Sequence, residues 1–462
     1  MPLVDPADRR PVHFVGIAGA GMSALAELFV RRGATVTGCD ASGDPTGDLG
    51  RLGISVNAGH DPAHVEGARA VVVTSALPKT HPELERARER GIPVIRRAEA
   101  LGEAVSGGEL VAVAGTHGKT TTTVMTTDAL RAAGLAPTGV AGGRVGRWEG
   151  NMQFGGDRRF VVEADEYDRS FLALTPTVAV VTNVEADHLD IYADLDDIER
   201  TFAAFVRPAR FIVLCADDAG ANALPTPPTA EVIRYGVAAP APHPDARLVA
   251  HDVRGDGTRT TFRVVYDGKE LGEVSLGVPG LHNVRNALAA LASGIALGAT
   301  VPEMAPGLEE FTGVERRFQL IGETGGVTVV DDYAHHPTEI VATLDAARLA
   351  YPGRRIVIAF QPHLYSRTRD FAVPFGQALA RADAAFLTEI YGAREAPMEG
   401  VTAGLIADAA TAAGRAPQWR GKRDDLAAAL ADAVRPGDVV FTVGAGDITR
   451  TGGELLARLG AR

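Results

Sequence analysis

Short apolar runs alternate along the chain with longer segments rich in alanine, leucine, glutamate and arginine. The short runs favour buried β-strands, and the longer segments have the spacing of amphipathic helices. Strands that alternate with helices indicate an α/β fold built on parallel sheets. The predicted strands are Val12–Val15, Thr35–Cys39, Ala70–Ser75, Pro93–Ile95, Phe160–Glu163, Val178–Asn183, Phe211–Leu214, Gly326–Val330, Arg355–Phe360, Ala384–Thr388 and Asp438–Val443.

Two segments depart from this alternation. Six prolines lie between Pro225 and Pro244, which predicts an irregular segment on the surface. Residues 246–276 alternate polar with apolar side chains and contain an Asp267-Gly268 turn, so antiparallel strands are expected there. The Ser106-Gly107-Gly108 break and the length of 462 residues together predict about three domains.

Composition and charge narrow the class of protein. The formal net charge of −12 argues against a nucleic-acid-binding surface. No apolar run is long enough to span a bilayer, and the N-terminus lacks a charged-plus-apolar signal segment. Cys39 and Cys215 lie in strand-like runs without metal-site spacing, which predicts buried free thiols. We therefore expect a soluble cytoplasmic protein that binds small molecules, with no nucleic-acid or membrane partner.

A phosphate-binding loop is the most specific motif. The apolar run Leu110–Ala114 stops at a glycine, and glycine, lysine and threonines then open a predicted helix. Such a loop surrounds phosphate oxygens with backbone N–H groups at a helix N-terminus. Lys119 would bridge the outer phosphates of ATP, and the Thr120 hydroxyl would ligate Mg²⁺. The predicted ATP-binding loop comprises Gly115, Thr116, His117, Gly118, Lys119, Thr120 and Thr121.

This loop is a shortened variant, because Val113 stands where the usual eight-residue motif has its first glycine. A buried strand followed by a helix capped by threonine is the alternative interpretation. It leaves the glycine–lysine–threonine spacing unexplained.

A second glycine-rich loop lies near the N-terminus. Gly16, Gly19 and Gly21 follow the first strand, and Asp40 ends the next one, which is close to the dinucleotide fingerprint. Ala18 occupies the second glycine position of that fingerprint. The pattern predicts a diphosphate ligand, from NAD or from a UDP-sugar, and a tight turn without a ligand is the alternative. An NAD-dependent oxidoreductase would explain this loop but would not explain Lys119.

Acidic residues follow two of the predicted strands. Glu163 and three further acids come directly after one strand, and His188 lies among acids after another. Ligands bind outside the carboxyl ends of parallel strands, so Glu163 and His188 are predicted to hold a magnesium ion beside the phosphate loop. The alternative is that these acids favour helix N-termini through the helix dipole alone.

Taken together, these motifs resemble the Mur ligases, the ATP-dependent amide-forming enzymes of peptidoglycan synthesis. Further matching motifs follow in order towards the C-terminus. The segments that carry the resemblance begin at Gly16, Gly115, Glu163, Asn183, Gly280, Arg316, Asp331 and Gln361.

The resemblance implies three α/β domains. A Rossmann-like UDP-sugar domain spans residues 1–106, a central P-loop ATPase domain spans 107–316, and a Rossmann-like amino-acid domain spans 317–462. These boundaries agree with the glycine break and with the third group of strands.

Residue roles are implied by position in the family motifs. On the ATP side the implied residues are His282, Asn283, Asn286, Arg317 and Asp332, in addition to the phosphate loop. The implied UDP-sugar residues are Ala18, Gly19, Gly21, Met22, Ser23, Asp40, Ser75 and Arg96. The implied amino-acid residues are Tyr333, His335, Arg367 and Arg369, and the metal ligands are Thr120, Glu163 and His188, for two Mg²⁺ ions. Lys119, His188, His335 and Arg367 are implied in catalysis.

The resemblance implies ligation of L-alanine to the lactyl carboxylate of UDP-N-acetylmuramate through an acyl phosphate. The alternative is a sister ligase that adds a recycled murein tripeptide to the same UDP-sugar. An ATP-hydrolysing scaffold that transfers nothing is a third interpretation. Leu364 stands where some relatives carry an arginine, so Arg367 is expected to contribute more to alanine recognition. The segment 185–210 contains no lysine that could be carbamoylated, which predicts activity independent of bicarbonate.

Overall fold

The computed structural model describes residues 2–44, 47–74, 77–78, 80–393 and 395–461. Ser75, one of the predicted UDP-sugar residues, lies outside the described residues. The chain divides into two compact units, which are described separately. The first comprises Met1–Asp252, Phe262–Ser275 and Val284–Phe311, and the second comprises Val253–Thr261, Leu276–Asn283 and Thr312–Arg462. Within the described ranges, no helix is both long and apolar enough to cross a membrane.

The first sheet has five parallel strands in the order β3-β2-β1-β4-β5. Its central strands β1 and β4 are fully buried, as expected for a parallel sheet covered on both faces, and His13 is the one polar side chain in these two strands. Its elements are β1 (Val12–Val15), α1 (Ala20–Arg31), β2 (Val36–Asp40), α2 (Asp48–Arg51), β3 (Ser55–Ala58), a 3₁₀ turn (Pro62–Val65), β4 (Ala70–Val73), α3 (Pro82–Glu89), β5 (Val94–Arg96) and α4 (Arg97–Val105).

The second sheet has ten strands in the order β15-β14-β13-β12-β11-β10-β6-β9-β7-β8. β6 pairs in parallel with β9 on one side and β10 on the other, so the carboxyl ends of these three strands are adjacent. The strands are β6 (Glu109–Ala114), β7 (Thr138–Val145), β8 (Gly150–Gln153), β9 (Arg159–Glu163), β10 (Val178–Val181), β11 (Phe211–Cys215), β12 (Glu231–Val237), β13 (Leu248–Asp256), β14 (Arg259–Tyr266) and β15 (Lys269–Leu276). The helices are α5 (Lys119–Ala132), α6 (Leu195–Val206), α7 (Ala219–Ala223), α8 (Leu281–Ala296) and α9 (Val301–Glu309), with 3₁₀ turns at Gly146–Trp148 and Tyr167–Ala173.

One expectation for this region is confirmed and one is wrong. The Asp267-Gly268 turn joins β14 to β15, and both residues have positive φ, 47° and 78°, as a two-residue hairpin turn requires. The proline-rich segment is not irregular throughout, because β12 lies inside it and pairs in parallel with β11. The prolines flank that strand rather than interrupt it, and Tyr235 within it is 1 % exposed.

The third sheet belongs to the second unit and runs in the order β16-β17-β21-β18-β19-β20. Only the β16–β17 pair among its described pairings is antiparallel. Alternate residues of β18 enter two separate apolar clusters, which shows that both faces of this sheet are covered. Its elements are β16 (Gln319–Thr324), β17 (Val327–Asp332), α10 (Pro337–Ala350), β18 (Ile356–Phe360), α11 (Tyr365–Leu379), β19 (Ala384–Thr388), α12 (Gly404–Ala412), β20 (Trp419–Gly421), α13 (Arg423–Ala433), β21 (Val439–Val443) and α14 (Thr449–Gly460).

Candidate active site

The phosphate loop connects β6 to α5 and requires glycine at both of its ends. Gly115 has φ +137° and Gly118 has φ +81°, conformations that L side chains rarely adopt. A Cβ atom on Gly115 would lie 2.0 Å from the Thr182 hydroxyl oxygen. On Gly118 it would lie 2.7 Å from Oδ1 of Asn286. The loop is therefore shaped by glycine and enclosed by neighbouring side chains.

Residues at the end of β10 hold the loop in place. The His117 N–H donates to Oδ1 of Asn183 at 2.7 Å, and the Thr182 hydroxyl donates to the His117 carbonyl at 2.6 Å. The Thr116 N–H donates to the Asn183 carbonyl at 3.1 Å. These bonds tie the loop to the neighbouring strand end, so protein contacts fix its backbone.

Lys119 is the first residue of α5 and its ammonium group points back over the loop. It donates to the Gly115 and Thr116 carbonyls at 2.7 Å and 3.0 Å. It also forms an ion pair of 2.8 Å with the buried carboxylate of Glu166. The cation expected to meet the outer phosphates is thus kept at the loop by an internal anion.

Lys119 and Glu166 each stabilise the charged form of the other. Burial alone would lower the pKa of Lys119, but the nearby carboxylates, above all Glu166, raise it. Burial alone would raise the pKa of Glu166, but Lys119 and then His188 lower it. Both partners are therefore ionised at neutral pH, and either one would be costly to leave without the other.

Glu163 ends β9 and directs its carboxylate towards the start of α5. Its Oε1 accepts the Thr120 hydroxyl at 3.0 Å, and its Oε2 accepts the Gly142 N–H at 2.6 Å. Burial raises the pKa of this carboxyl. A carboxylate in low dielectric next to a hydroxyl is a donor set that suits Mg²⁺.

His188 follows β10 with φ 52°. Its Nε2 lies 3.6 Å from Glu166, and its ring contacts the Tyr167 ring edge-on with centroids 5.2 Å apart. The structure therefore brings His188 and Lys119 to the same buried carboxylate. The two acidic strand ends thus meet at the phosphate loop, and the predicted magnesium site formed by Glu163 and His188 stays a prediction.

A cavity of about 510 Å³ joins the first glycine-rich loop to this acidic cluster. It contains predicted residues of both sites and is large enough for part of a nucleotide sugar. The lining residues are Gly16, Gly19, Ala20, Gly21, Met22, Asp40, Thr74, Arg97, Leu101, Val140, Ala141, Gly142, Glu163 and Asp165.

Asp40 organises the first loop from the end of β2. Its Oδ2 accepts the Ala18 N–H at 3.2 Å, and its Oδ1 accepts the N–H and hydroxyl of Ser42 at 3.0 Å and 2.8 Å. Ser23 donates its hydroxyl to the Ala20 carbonyl at 3.0 Å and is not among the lining residues.

Arg96 and Arg97 differ in placement. The predicted residue Arg96 is 65 % exposed in its side chain and lies 3.9 Å from Asp168. Arg97 lines the cavity and lies 3.7 Å from Asp165. The family motif predicts the first of these two adjacent arginines, but the second one lines the cavity.

The predicted adenine-side residues lie at the start of α8. Asn286 accepts the Thr122 hydroxyl at 3.1 Å, which places it against α5 in the first unit. His282 and Asn283 belong to the second unit, where the Asn283 amide donates to the Pro279 carbonyl at 2.7 Å. Gly280 precedes them with φ +100°, and a Cβ there would lie 2.7 Å from the His282 ring.

Asp332 ends β17 in the second unit and is 6 % exposed. It accepts the N–H groups of Phe318 and Ala334 at 2.9 Å and 2.8 Å, and burial raises its pKa to about 6. Arg317 lies nearby with its guanidinium 5.1 Å from the Tyr333 ring centroid and 3.3 Å from Glu339.

Four side chains from two strand ends form a polar cluster in the second unit. The rings of Tyr333 and His335 are 5.2 Å apart, and those of His335 and His363 are 6.2 Å apart. Arg367 is 6 % exposed and contacts Nδ1 of His363 at 3.5 Å. Nδ1 of His335 donates to the Tyr333 carbonyl at 3.0 Å, which leaves Nε2 as the basic nitrogen.

Arg369 does not share this environment. Its side chain is 56 % exposed and pairs with the adjacent Asp370 at 2.7 Å. Leu364 is 7 % exposed with φ 71° and directly precedes α11, so it shapes the backbone at the cluster without adding charge. The structure thus groups three of the four predicted amino-acid residues and places the fourth at the surface.

Three family models match successive segments of the chain. The Mur ligase family catalytic domain matches residues 11–108, the Mur ligase middle domain matches 113–294, and the Mur ligase glutamate ligase domain matches 316–446. A UDP-N-acetylmuramate--L-alanine ligase of Salinibacter ruber is 46 % identical over 96 % of this chain and 93 % of its own length. The chain belongs to the Mur ligase family.

Solved structures of Mur ligases have the same three-domain α/β architecture. The Thermotoga maritima UDP-N-acetylmuramate-alanine ligase superposes with a TM-score of 0.82 at 30 % identity, covering 98 % of this chain and 99 % of its own. A murein peptide ligase from Psychrobacter arcticus superposes with a TM-score of 0.70 at 27 % identity, with the same coverage. The α/β fold expected from sequence is confirmed.

Three functional candidates were missed in the Mur ligase motifs. Glu166 follows Glu163 in the same motif, but only the structure shows that it pairs with Lys119. Arg97 and His363 lie beside selected residues and were passed over because sequence does not show side-chain direction. The alternation of buried and exposed positions at a strand end is the signal that could have separated Arg97 from Arg96.

Proposed function

We propose that this protein is an ATP-dependent ligase that joins L-alanine to the lactyl carboxylate of UDP-N-acetylmuramate, the first amino-acid addition in peptidoglycan precursor synthesis. The carrying observation is the cavity that the first glycine-rich loop shares with Glu163, beside the Lys119 loop. It places a diphosphate-type loop next to a triphosphate-type loop, as phosphoryl transfer to a bound nucleotide sugar requires.

The reaction begins with attack of the lactyl carboxylate on the γ-phosphorus of ATP. This forms an acyl phosphate and releases ADP. The amine of L-alanine then attacks the acyl carbon, the tetrahedral adduct expels inorganic phosphate, and the amine loses a proton. ATP is needed because a free carboxylate is a poor electrophile at neutral pH.

The chain's own residues position and neutralise charge. On ATP binding, Lys119 exchanges part of its contact with Glu166 for the outer phosphates, and the loop N–H groups surround them. Gly115, Thr116, His117, Gly118 and Thr121 form that loop, and His282, Asn283, Asn286, Arg317 and Asp332 are proposed for the adenine and ribose side. Thr120, Glu163 and His188 would hold Mg²⁺, which when bound withdraws charge from the reacting oxygens.

Arg367 is proposed to bind the carboxylate of L-alanine, because a guanidinium offers two parallel donors in a fixed plane. His335 is proposed to position or accept the amine proton through Nε2. Tyr333 would form one side of this site. Arg369 would contribute only positive charge from the surface. On the UDP-sugar side we propose Ala18, Gly19, Gly21, Met22 and Asp40, with Ser23 and Arg96 further from the cavity.

The three family segments support division of the chain into domains at residues 106 and 316. We keep residues 1–106, 107–316 and 317–462 as the proposed UDP-sugar, ATP and amino-acid domains.

The test measures phosphate release from Mg-ATP in the presence of UDP-N-acetylmuramate and each common L-amino acid in turn. We expect release that requires both the UDP-sugar and L-alanine, and a product heavier by one alanyl residue. Release that requires a murein tripeptide instead would transfer the protein to the recycling branch. Release that depends on neither co-substrate would overturn the ligase assignment.

A further inference from the structure

The N-terminal sheet carries a second polar cluster, and none of its residues lines the cavity described above. Five metal-ligating side chains surround the carboxylate of Glu83, which is fully buried at the start of α3. The mechanism above uses none of them. This Glu83 cluster consists of His13, Cys39, His60, His64, His81 and Glu83.

The distances within the cluster are short. The Cys39 sulfur lies 3.1 Å and 3.0 Å from the two carboxylate oxygens of Glu83, and Nδ1 of His64 lies 2.8 Å from one of them. His60 approaches the same sulfur at 3.4 Å and the other carboxylate oxygen at 3.5 Å. His13, Cys39, His64 and Glu83 each offer one ligand atom, and these four atoms lie within 4.8 Å of one another.

Glu83 accepts hydrogen bonds from its neighbours, including the Asp61 N–H at 3.1 Å, but two ring nitrogens of the cluster are not satisfied. Among the residues that the structure describes, Nε2 of His13 and Nδ1 of His81 are buried without a hydrogen-bond partner. His13 is 0 % exposed, and its other ring nitrogen is bonded to the Thr37 hydroxyl at 3.0 Å. A buried imidazole nitrogen without a partner costs free energy and is rare in folded proteins. The unpartnered nitrogen of His13 therefore points to a ligand that the other three residues share.

We propose that His13, Cys39, His64 and Glu83 bind a zinc ion. Thiolate, imidazole and carboxylate are all ligands that Zn²⁺ accepts, and four of them complete its tetrahedral shell, whereas Mg²⁺ prefers oxygen ligands alone. Tetrahedral bonds to zinc separate neighbouring ligand atoms by about 3.4 Å, so the observed spacing needs only small adjustments. His60 and His81 lie 3.5 Å and 3.9 Å from the Glu83 carboxylate and would help to orient it.

The sequence alone could not reveal this site. Its ligands come from β1, the end of β2, the 3₁₀ turn Pro62–Val65 and α3, so they show none of the short repeated spacings of a zinc motif. A zinc ion there would connect four elements of the first sheet. It would also act next to the UDP-sugar loop, because the Cys39 carbonyl accepts the N–H groups of Gly16 and Ile17 at 2.8 Å and 3.1 Å. We therefore expect a structural role, with all four positions taken by protein.

The first experiment measures metal content by mass spectrometry in the full chain, expressed without a polyhistidine tag and dialysed with Mg²⁺. About one zinc ion per chain is expected. Cys39→Ser and His64→Ala should each lower that content at least tenfold. Cys215→Ser is the matched control, because Cys215 is the other buried free cysteine and lies in the second sheet. Equal zinc content in Cys39→Ser and the unaltered protein would overturn the proposal.

Cobalt substitution tests the ligands directly, even if a variant retains less zinc because it folds poorly. Co²⁺ added to the chelator-treated protein should give visible bands of a tetrahedral site and a thiolate-to-cobalt charge-transfer band. Cys215→Ser should keep that band and Cys39→Ser, shown to be folded by circular dichroism, should lose it. Cobalt binding without a thiolate band, or absence of binding, would contradict the site. Neither readout depends on ligase activity.

Discussion

The two glycine-rich loops of the first unit both lead from a strand into a helix, but different groups hold each loop in place. The loop at Gly16–Gly21 is tied by one carboxylate, Asp40, and by the carbonyl at the end of β2. The loop at Gly115–Gly118 is fixed by side chains from the end of β10 and carries the buried Lys119–Glu166 pair.

This difference suits the two loops to different tasks, which are holding a ligand and transferring a phosphoryl group. A diphosphate that only has to be held can be met by backbone N–H groups and the helix dipole. A phosphoryl group that is transferred develops charge, which must be met by cations already in place. In the proposed function the first loop serves the former purpose and the second loop serves the latter, although one cavity contains both Glu163 and the first loop.

The largest expected effect comes from removing the cation of the second loop. Lys119→Ala should lower turnover about a thousandfold or more, since the transferring phosphate loses its main protein charge. UDP-sugar binding should stay intact, because that loop contains no part of Lys119. Steady-state phosphate release and calorimetric titration with UDP-N-acetylmuramate measure the two effects. Lys269→Ala, at an exposed lysine, is the matched control.

A double variant separates chemistry from folding. Lys119→Ala leaves the Glu166 carboxylate buried without its cation, which should cost about 3 kcal/mol in the free energy of unfolding. Lys119→Ala with Glu166→Gln should recover most of that stability and none of the turnover. Recovered turnover in the double variant would mean that Lys119 serves the fold rather than the reaction.

The next largest effects are expected from glycine-to-alanine substitutions, which should differ between the two loops. Gly115→Ala combines φ +137° with a Cβ atom 2.0 Å from the Thr182 hydroxyl oxygen, so the central domain should lose about 3 kcal/mol of stability. Gly19 has φ −63°, and its Cβ would lie 3.5 Å from the Gly16 carbonyl oxygen, an ordinary contact. Gly19→Ala should therefore unfold like the unaltered protein in thermal denaturation, with a raised KM for the UDP-sugar because the methyl group enters the cavity.

Part of the fold and part of the candidate site could be predicted from the sequence. Both glycine turns lie where the sequence predicts them, because glycine at a strand end is a local requirement that short motifs record. The ligands of the two loops stay predictions. Strands with continuous apolar runs, such as β4 and β18, were predicted closely. The parallel strands β3, β7 and β20 were not predicted. β12 was missed because the flanking prolines suggested irregular structure and hid a short strand between them.

Side-chain direction and long-range pairing were not predictable from the chain. Arg97 rather than Arg96 lines the cavity, and Glu166 rather than another acid of its motif pairs with Lys119. Both outcomes depend on which face of an element meets a distant segment. The Glu83 cluster illustrates the same limit, because four separate elements contribute to it.

A smaller effect is expected at the carboxylate of the first loop. Asp40→Asn should raise the KM for UDP-N-acetylmuramate about tenfold, because the Ala18 N–H and the Ser42 hydroxyl lose a charged acceptor. The KM for ATP should stay unchanged. Asp44→Asn is the control, since that carboxylate accepts the Gly50 N–H and does not line the cavity. An equal rise in both Michaelis constants would show that Asp40 supports the whole cavity and not the first loop alone.

The last prediction is that bicarbonate has no effect on turnover. Some relatives need a carbamoylated lysine to complete the charge around the second loop, but residues 185–210, which include α6, contain no lysine. Turnover in CO₂-free buffer should therefore equal turnover after bicarbonate is added, with sodium chloride at the same ionic strength as the control. Rescue by bicarbonate would mean that Glu163, Glu166 and His188 do not by themselves complete the polar groups around the second loop. A carbamoylated lysine from elsewhere in the chain would then have to be added to them.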